Sequence, residues 1–227
     1  MIKEVYKPSS LDETVYLLGK YKKNSKLIAG GTDLIIDLRN ETISPEVLID
    51  ISSIDINQIK IEEGYVNIGG GTTFAQIIDS PILGSHLHGL VKACSLVGSP
   101  QIRNRGTIGG NIINNNPAAD SVPPLIALNS DITLLSKRGE RKVKLEDYYV
   151  HGNEVGIKDD EVLVNVMFKE LDEAEFVGFS KLGLRKALAI SRISMSIFIN
   201  LDNKNNCNFI RIASGALGKY PMREVEL

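Results

Sequence analysis

The chain has 227 residues, of which 43% are hydrophobic and 24% charged, with a formal net charge of −2. That length buries a sizeable core, and the near-neutral balance, with no basic run, excludes the electrostatic footprint of a nucleic-acid binder. No apolar stretch approaches the length of a membrane span, and Met1-Ile2-Lys3-Glu4 lacks the apolar stretch of a signal peptide.

In chain order, Ser10-Leu11-Asp12-Glu13 has the form of a capping box, with Ser10 at the N-cap and Glu13 reaching back. Leu11, Val15 and Leu18 then fall on one helical face. A strand over Lys26–Ala29 leads into a glycine segment. A short helix over Asp33–Arg39 and a buried strand over Val47–Ile51 complete a small α/β unit, residues 1–55. From 56 to 172 the pattern is α+β. Ile59–Glu62 and Val66–Ile68 read as a hairpin turning at Glu63-Gly64. Thr73–Asp79 and Gly89–Leu96 read as helices. Asp131–Ser136 and Val143–Leu145 read as strands around Arg138-Gly139, and Glu161–Phe168 closes the unit. Residues 173–227 read as a three-stranded antiparallel meander: Glu175–Leu182, Ala187–Leu201 and Cys207–Ser214, with a polar turn at Asp202–Asn206. Three strands with one apolar face need something packed on them. This last unit is therefore expected to be a shortened form, natural or truncated, whose open face a partner covers.

Two segments carry the chemistry. Ala29-Gly30-Gly31-Thr32-Asp33 follows the apolar Leu27-Ile28. Arg103-Asn104-Arg105-Gly106-Thr107-Ile108-Gly109-Gly110-Asn111 is followed by Pro117-Ala118-Ala119-Asp120. Adjacent glycines permit φ > 0 and close approach of a ligand to the backbone. Successive amides turned into one concavity form an anion-binding nest. Two such nests beside hydroxyl, amide and carboxylate side chains suit a pyrophosphate flanked by sugars. For either segment alone a tight turn is the plainer reading. Neither the P-loop nor the G-x-G-x-x-G dinucleotide fingerprint is present.

Gln101–Asn111, Asn116–Asp120 and Ala29–Asp33 resemble the two flavin-binding signatures of the FAD subunits of molybdenum hydroxylases. That family includes the FAD subunits of xanthine dehydrogenase and carbon monoxide dehydrogenase. Pro8–Glu13, Ile68–Thr73 and Phe179–Lys186 add weaker matches, so the resemblance runs in order along most of the chain. It implies an α+β fold: a two-part FAD-binding domain of the PCMH/vanillyl-alcohol-oxidase type followed by a small antiparallel-sheet domain.

The resemblance also implies a cofactor site. Ala29, Gly30, Gly31, Ile108, Gly109 and Gly110 would present main chain to the FAD, the glycines at its diphosphate. Thr32 and Thr107 would donate hydroxyl hydrogen bonds, where turn capping is the alternative. Asp33 and Asp120 would accept from ribose or ribityl hydroxyls, and Asp33 would also N-cap the helix that follows. Asn111 and Asn114 would serve the flavin or its ribityl chain. Arg103 and Arg105 suit phosphate and surface salt bridges about equally. Lys181 and Arg192 are candidates for a positive charge near the flavin ring, which would stabilise its reduced anionic form. No residue is assigned a catalytic role. His86, His88 and His151 are too scattered for a metal site. Neither binding segment holds a His or Cys, so the FAD is expected to be non-covalent.

The implied function is a relay. The chain would take electrons from 2Fe–2S clusters of a small subunit, beside a molybdopterin-binding large subunit, and pass them to NAD+ or another acceptor. Cys94 and Cys207 are the only cysteines, too few for an iron–sulfur cluster, and they fit a reducing cytoplasm. Two alternatives stay open: a stand-alone FAD-dependent oxidoreductase of the same fold, and a non-redox nucleotide-binding module.

Overall fold

Capping hydroxyls and glycine turns punctuate the chain, and the elements follow them. The computed structural model describes residues 2–151, 155–185 and 188–225. The first elements are β1 (Glu4–Tyr6), α1 (Leu11–Tyr21), β2 (Ser25–Ile28), α2 (Leu34–Arg39) and β3 (Val47–Asp50). β1 and β2 flank β3 in a parallel sheet of order β1-β3-β2. β1 was not expected, because three residues are too few to show an alternation. Ser10 caps α1 by accepting from the Glu13 amide at 3.1 Å. The Glu13 carboxylate, however, accepts from the Ser9 amide at 2.8 Å, so the box is offset by one residue. α1 buries Val15, Leu17 and Leu18 in a cluster with Val47 and Ile49 of β3.

The middle region contains β4 (Ile59–Glu62), β5 (Tyr65–Gly69), α3 (Phe74–Ile78), α4 (His88–Ser95), α5 (Pro100–Arg103), α6 (Ile108–Ile113), α7 (Val122–Ala127), β6 (Asp131–Ser136), β7 (Gly139–Lys144), α8 (Leu145–Val150) and β8 (Val162–Lys169). Its strands form an antiparallel sheet of order β4-β5-β8-β6-β7. Glu63 and Gly64 both have positive φ (51° and 76°), the conformation a two-residue hairpin loop demands. Thr73 and Gln76 form a complete capping box on α3.

Two expectations need correction here. β7 runs over Gly139–Lys144, and Leu145 opens a helix instead of ending a strand. Its first residues, Gly139-Glu140-Arg141-Lys142, are polar because β7 is an edge strand, so apolar alternation does not mark them. The second glycine segment, Arg103–Asn111, read as a loop, instead begins at the end of α5 and runs into α6, and α7 follows. Ser99 caps α5, Thr107 caps α6, and Pro123 and Pro124 sit in the first turn of α7. Helices of four to six residues are too short to display a period. Burial of Ile108, Ile112, Leu125 and Ile126 holds α6 and α7, while α5 buries none of its residues and rests on its Ser99 cap.

The last sheet comprises β9 (Glu175–Gly183), β10 (Ser191–Leu201), β11 (Cys207–Gly215) and β12 (Met222–Glu224), in the order β12-β11-β10-β9. It has four strands, not three: β12 pairs with β11 from Ser214↔Met222 to Ile212↔Glu224. Ala187, the expected start of β10, and Lys186, in the last family match, lie outside the described residues. β10 is patterned inside out. Ser194, Ser196 and Phe198 face inward and are buried, while Ile193 and Met195 face outward. Buried apolar residues gather in two clusters. The larger joins the middle sheet and α4, α6 and α7 to Val177, Phe198 and Ala213 of the last sheet. The smaller surrounds α1 and β3 and takes in Ile51, Ile54, Ile56 and Val162.

Candidate functional site

Three glycine-bearing segments meet at one place, and the missing side chains are the reason. A Cβ on Gly30 would land on the carbonyl of Arg105, and one on Gly109 would lie 2.6 Å from the Gly70 carbonyl oxygen. The segments are stitched by Phe74 N–H donating to Gly106 O (3.1 Å), Ile108 N–H to Thr72 O (2.9 Å) and Gly109 N–H to Gly70 O (2.9 Å). Both glycine pairs permit φ > 0. Of those four glycines only Gly31 adopts it, at 72°. Gly30 and Gly109 are required by close packing instead. Gly110 is exposed, and a Cβ there would meet only the Thr107 hydroxyl oxygen, at 2.9 Å.

The two segments differ in their amides. Among the described residues, the N–H groups of Gly30, Gly31, Thr32 and Asp33 donate to no protein acceptor. They precede α2, whose N-terminus adds favourable potential for an anion. In the second segment Ile108 and Gly109 donate to the 70–72 turn, and Gly110 donates to Thr107 Oγ1 at 3.1 Å. The second nest is therefore closed by the protein itself. Ile108 is a core residue with a fully buried side chain.

The other candidates distribute as follows. Ala29 packs on the smaller cluster. Asp33 occupies the N-cap position of α2 without a side-chain capping bond, is exposed, and accepts from the Thr32 hydroxyl at 3.2 Å. Thr107 caps α6. Asn111 Oδ1 accepts from the Ser121 hydroxyl at 2.7 Å, and Asn114 is exposed at the C-cap of α6. Arg103 donates to the Val97 and Gly98 carbonyls, both at 3.0 Å, which is a structural use. The exposed Arg105 side chain makes no hydrogen bond among the described residues, and its backbone abuts Gly30. Arg192 is exposed at the irregularity in β10 between Ser191 and Ile193, away from any ion pair among the described residues.

Asp120 and Lys181 are brought together. Lys181 Nζ donates to Asp120 Oδ2 at 2.6 Å and to the carbonyls of Leu96 and Ala189, each at 3.0 Å. The Ser191 hydroxyl donates to Asp120 Oδ1. Burial pushes the Asp120 carboxyl above the usual carboxylate range, and the hydrogen bonds from Lys181 and Ser191 oppose that rise. Ser191 and Gly70 were not singled out from sequence. Gly70 sits in a triplet legible as Gly69-Gly70-Gly71, but nothing marks one serine of β10 among several. The Thr72 hydroxyl, fully buried between the second segment and β5, has no partner among the described residues. A cleft of about 820 Å³ lies elsewhere, over Lys60, Tyr65, Asn67 and Lys142 on the open face of the middle sheet. No group of three or more His, Cys, Asp or Glu is placed to hold a metal ion among the described residues. No described helix is long and apolar enough to cross a membrane.

A run of unpartnered amides opening a helix, backed by glycines that admit close backbone approach, is an arrangement that can receive an anion, here in a mixed α+β chain. Comparison with known proteins gives the rest. Residues 1–168 match the family model described as FAD binding domain in molybdopterin dehydrogenase, and the chain belongs to that family. It is 37% identical over 224 residues to the nicotinate dehydrogenase FAD-subunit of Eubacterium barkeri, covering 96% of this chain and 76% of that one. It is 33% identical over 222 residues to a putative xanthine dehydrogenase FAD-binding subunit of Escherichia coli, covering 96% and 75%. The solved carbon monoxide dehydrogenase of Hydrogenophaga pseudoflava superposes with a TM-score of 0.91 at 29% identity, over 98% of this chain and 77% of that one. The chain is thus the FAD-binding component of an oxidoreductase of the molybdenum hydroxylase type.

Proposed function

We propose that the chain holds FAD non-covalently, receives electrons from a 2Fe–2S subunit of a complex that also contains a molybdopterin-binding subunit, and delivers them to NAD+ or another acceptor. The observation that carries this reading is the run of unpartnered amides from Gly30 to Asp33. Four N–H groups neutralise a diphosphate without a lysine beside it, and Arg105, whose side chain makes no hydrogen bond among the described residues, adds a nearby cation. Asp33 and Asp120 accept from sugar hydroxyls, and Gly110 leaves room where α6 faces solvent. FAD, when bound, supplies the exchange between one- and two-electron transfer; the residues here bind and orient it. Two cysteines cannot ligate an iron–sulfur cluster, so the cluster of this reading lies outside these 227 residues. The unpaired Cys94 and Cys207 are in keeping with a reducing cytoplasm.

The test is to express the chain, reconstitute it with FAD and release the cofactor with acid. A yellow protein yielding about one FAD per chain is expected, with molybdenum- and iron-containing polypeptides captured from the native source. A protein that stays colourless after reconstitution removes the flavin reading. A flavoprotein with full turnover on its own substrate, free of molybdenum and iron, removes the relay.

A further inference from the structure

We propose that Lys181 is a positioning residue for the cofactor segment, acting through Asp120 and not by touching the flavin. This rests on the FAD reading above. A lysine ammonium has three N–H donors and no acceptor. Here all three are spent, on Asp120 Oδ2, Leu96 O and Ala189 O at 2.6, 3.0 and 3.0 Å. No proton is left to donate to a flavin ring without breaking one of these bonds. The Lys181 and Asp120 side chains are 9% and 6% exposed, so water does not replace a broken bond.

The three acceptors come from three parts of the fold. Asp120 ends the segment that follows α6, Leu96 is the C-cap of α4, and Ala189 lies in the connection from β9 to β10. Ser191, two residues after Ala189, fixes the other oxygen of Asp120. One ammonium and one hydroxyl thus set where the Asp120 carboxylate points and fasten the β9–β10 connection against it. An ionised carboxylate has about four lone-pair sites. Each oxygen, already holding one protein donor, keeps capacity for a ligand hydroxyl. Lys181 makes Asp120 an oriented acceptor and lowers the cost of burying its charge.

The experiment compares Lys181→Met, Asp120→Asn and the double variant in the full chain. FAD binding is followed by fluorescence titration and the apo chains by amide hydrogen exchange. Lys181→Met is expected to weaken FAD about ten-fold and to speed exchange at 117–121 and 188–191 together. The absorption bands of the remaining bound flavin should not shift. In the Asp120→Asn background, Lys181→Met should change FAD affinity by no more than about two-fold. Losses that multiply in the double variant, or shifted flavin bands in Lys181→Met, overturn the proposal in favour of direct contact. Unchanged affinity and unchanged exchange in Lys181→Met overturn it as well. If Lys181→Met alone fails to fold, the double variant, which removes both charges, is compared with Asp120→Asn. A wild-type chain that binds no FAD overturns the flavin reading instead, and the exchange rates of the apo chains then decide the role of Lys181.

Discussion

Glycines that look alike in sequence fail for different reasons when substituted. Gly30→Ala puts a Cβ into the Arg105 carbonyl. It is expected to lower stability by about 1–3 kcal/mol, as overpacking does, seen as an earlier denaturation midpoint. Gly31→Ala meets only side chains but must hold φ near 72°, at a cost of roughly 1–2 kcal/mol. Gly110→Val has open space except at the Thr107 hydroxyl. That chain should fold and lose its FAD; full occupancy would move the cofactor away from α6. The glycine positions are legible in the sequence, but whether each serves a turn, a close approach or a ligand depends on which carbonyl lies opposite. That fact belongs to the fold. The same holds for Asp120, visible as a candidate beside Pro117, whose partner Lys181 is 61 positions away.

Glu161 gives a pH-dependent test at the same scale. Burial works to raise its carboxyl. Arg141 opposes this through two bonds of 2.8 Å, the Lys158 amide adds a third of 2.8 Å, and together they hold it below the ordinary glutamate range. A depressed folded-state value means stability that is present above the unfolded value, near 4.5, and lost as pH falls through the folded one. Glu161→Gln should therefore cost about 1.5–3 kcal/mol at pH 7, and its stability should vary less than wild type below about pH 4.5. Parallel stability curves for the two proteins in acid would mean that Glu161 does not titrate with folding.

At the scale of elements, the longer capped or alternating stretches were readable and the short ones, capped or not, were not. Ser10, Thr73 and Glu63-Gly64 announce their helices and hairpin through local chemistry. α5, α6, α7, β1 and β12 have three to six residues each, too few for a period; neighbours bury α6 and α7 and pair β1 and β12, and α5 rests on its Ser99 cap. β10 misleads further, since its serines face the core and its isoleucines do not. Outward from the last sheet stand Leu182, Ile193, Met195 and Ile210, between 38% and 63% exposed, with Ile193 opposite Leu182 and Ile210 opposite Ile199. A contiguous apolar face binds hydrophobic dyes. The chain should raise the fluorescence of such a dye in its native state, and Ile193→Thr with Met195→Thr should reduce that signal while leaving the denaturation midpoint within about 0.5 kcal/mol. An unchanged signal would show that the dye sits elsewhere, for instance in the cleft around Phe209 and Arg211.

For the whole molecule, the two clusters decide what unfolds together. Sequence pattern divides the chain into three units, and each sheet falls within one of them. Val177, Phe198 and Ala213, however, share a cluster with Leu90, Leu125 and Val166. The last sheet therefore has no core separate from the middle one, and amides of β8 and β10 should exchange with the same opening free energy. Phe198→Ala should lower both, by about 3–5 kcal/mol if the cavity does not collapse. Val15→Ala should act first on β1–β3, whose cluster is distinct. Loss of protection confined to β9–β12 in Phe198→Ala would mean that the last sheet folds alone. The candidate site sits at the seam between these clusters. Ala29 and Leu27 belong to the smaller, Ile108 and Ala119 to the larger. A ligand held by both sides stabilises both by the same mass-action term, about 2.7 kcal/mol at a hundred times its Kd. Saturating FAD should accordingly slow exchange in β3 and α7 alike. Protection gained on one side only would place the cofactor entirely within that cluster and remove the role assigned to the other.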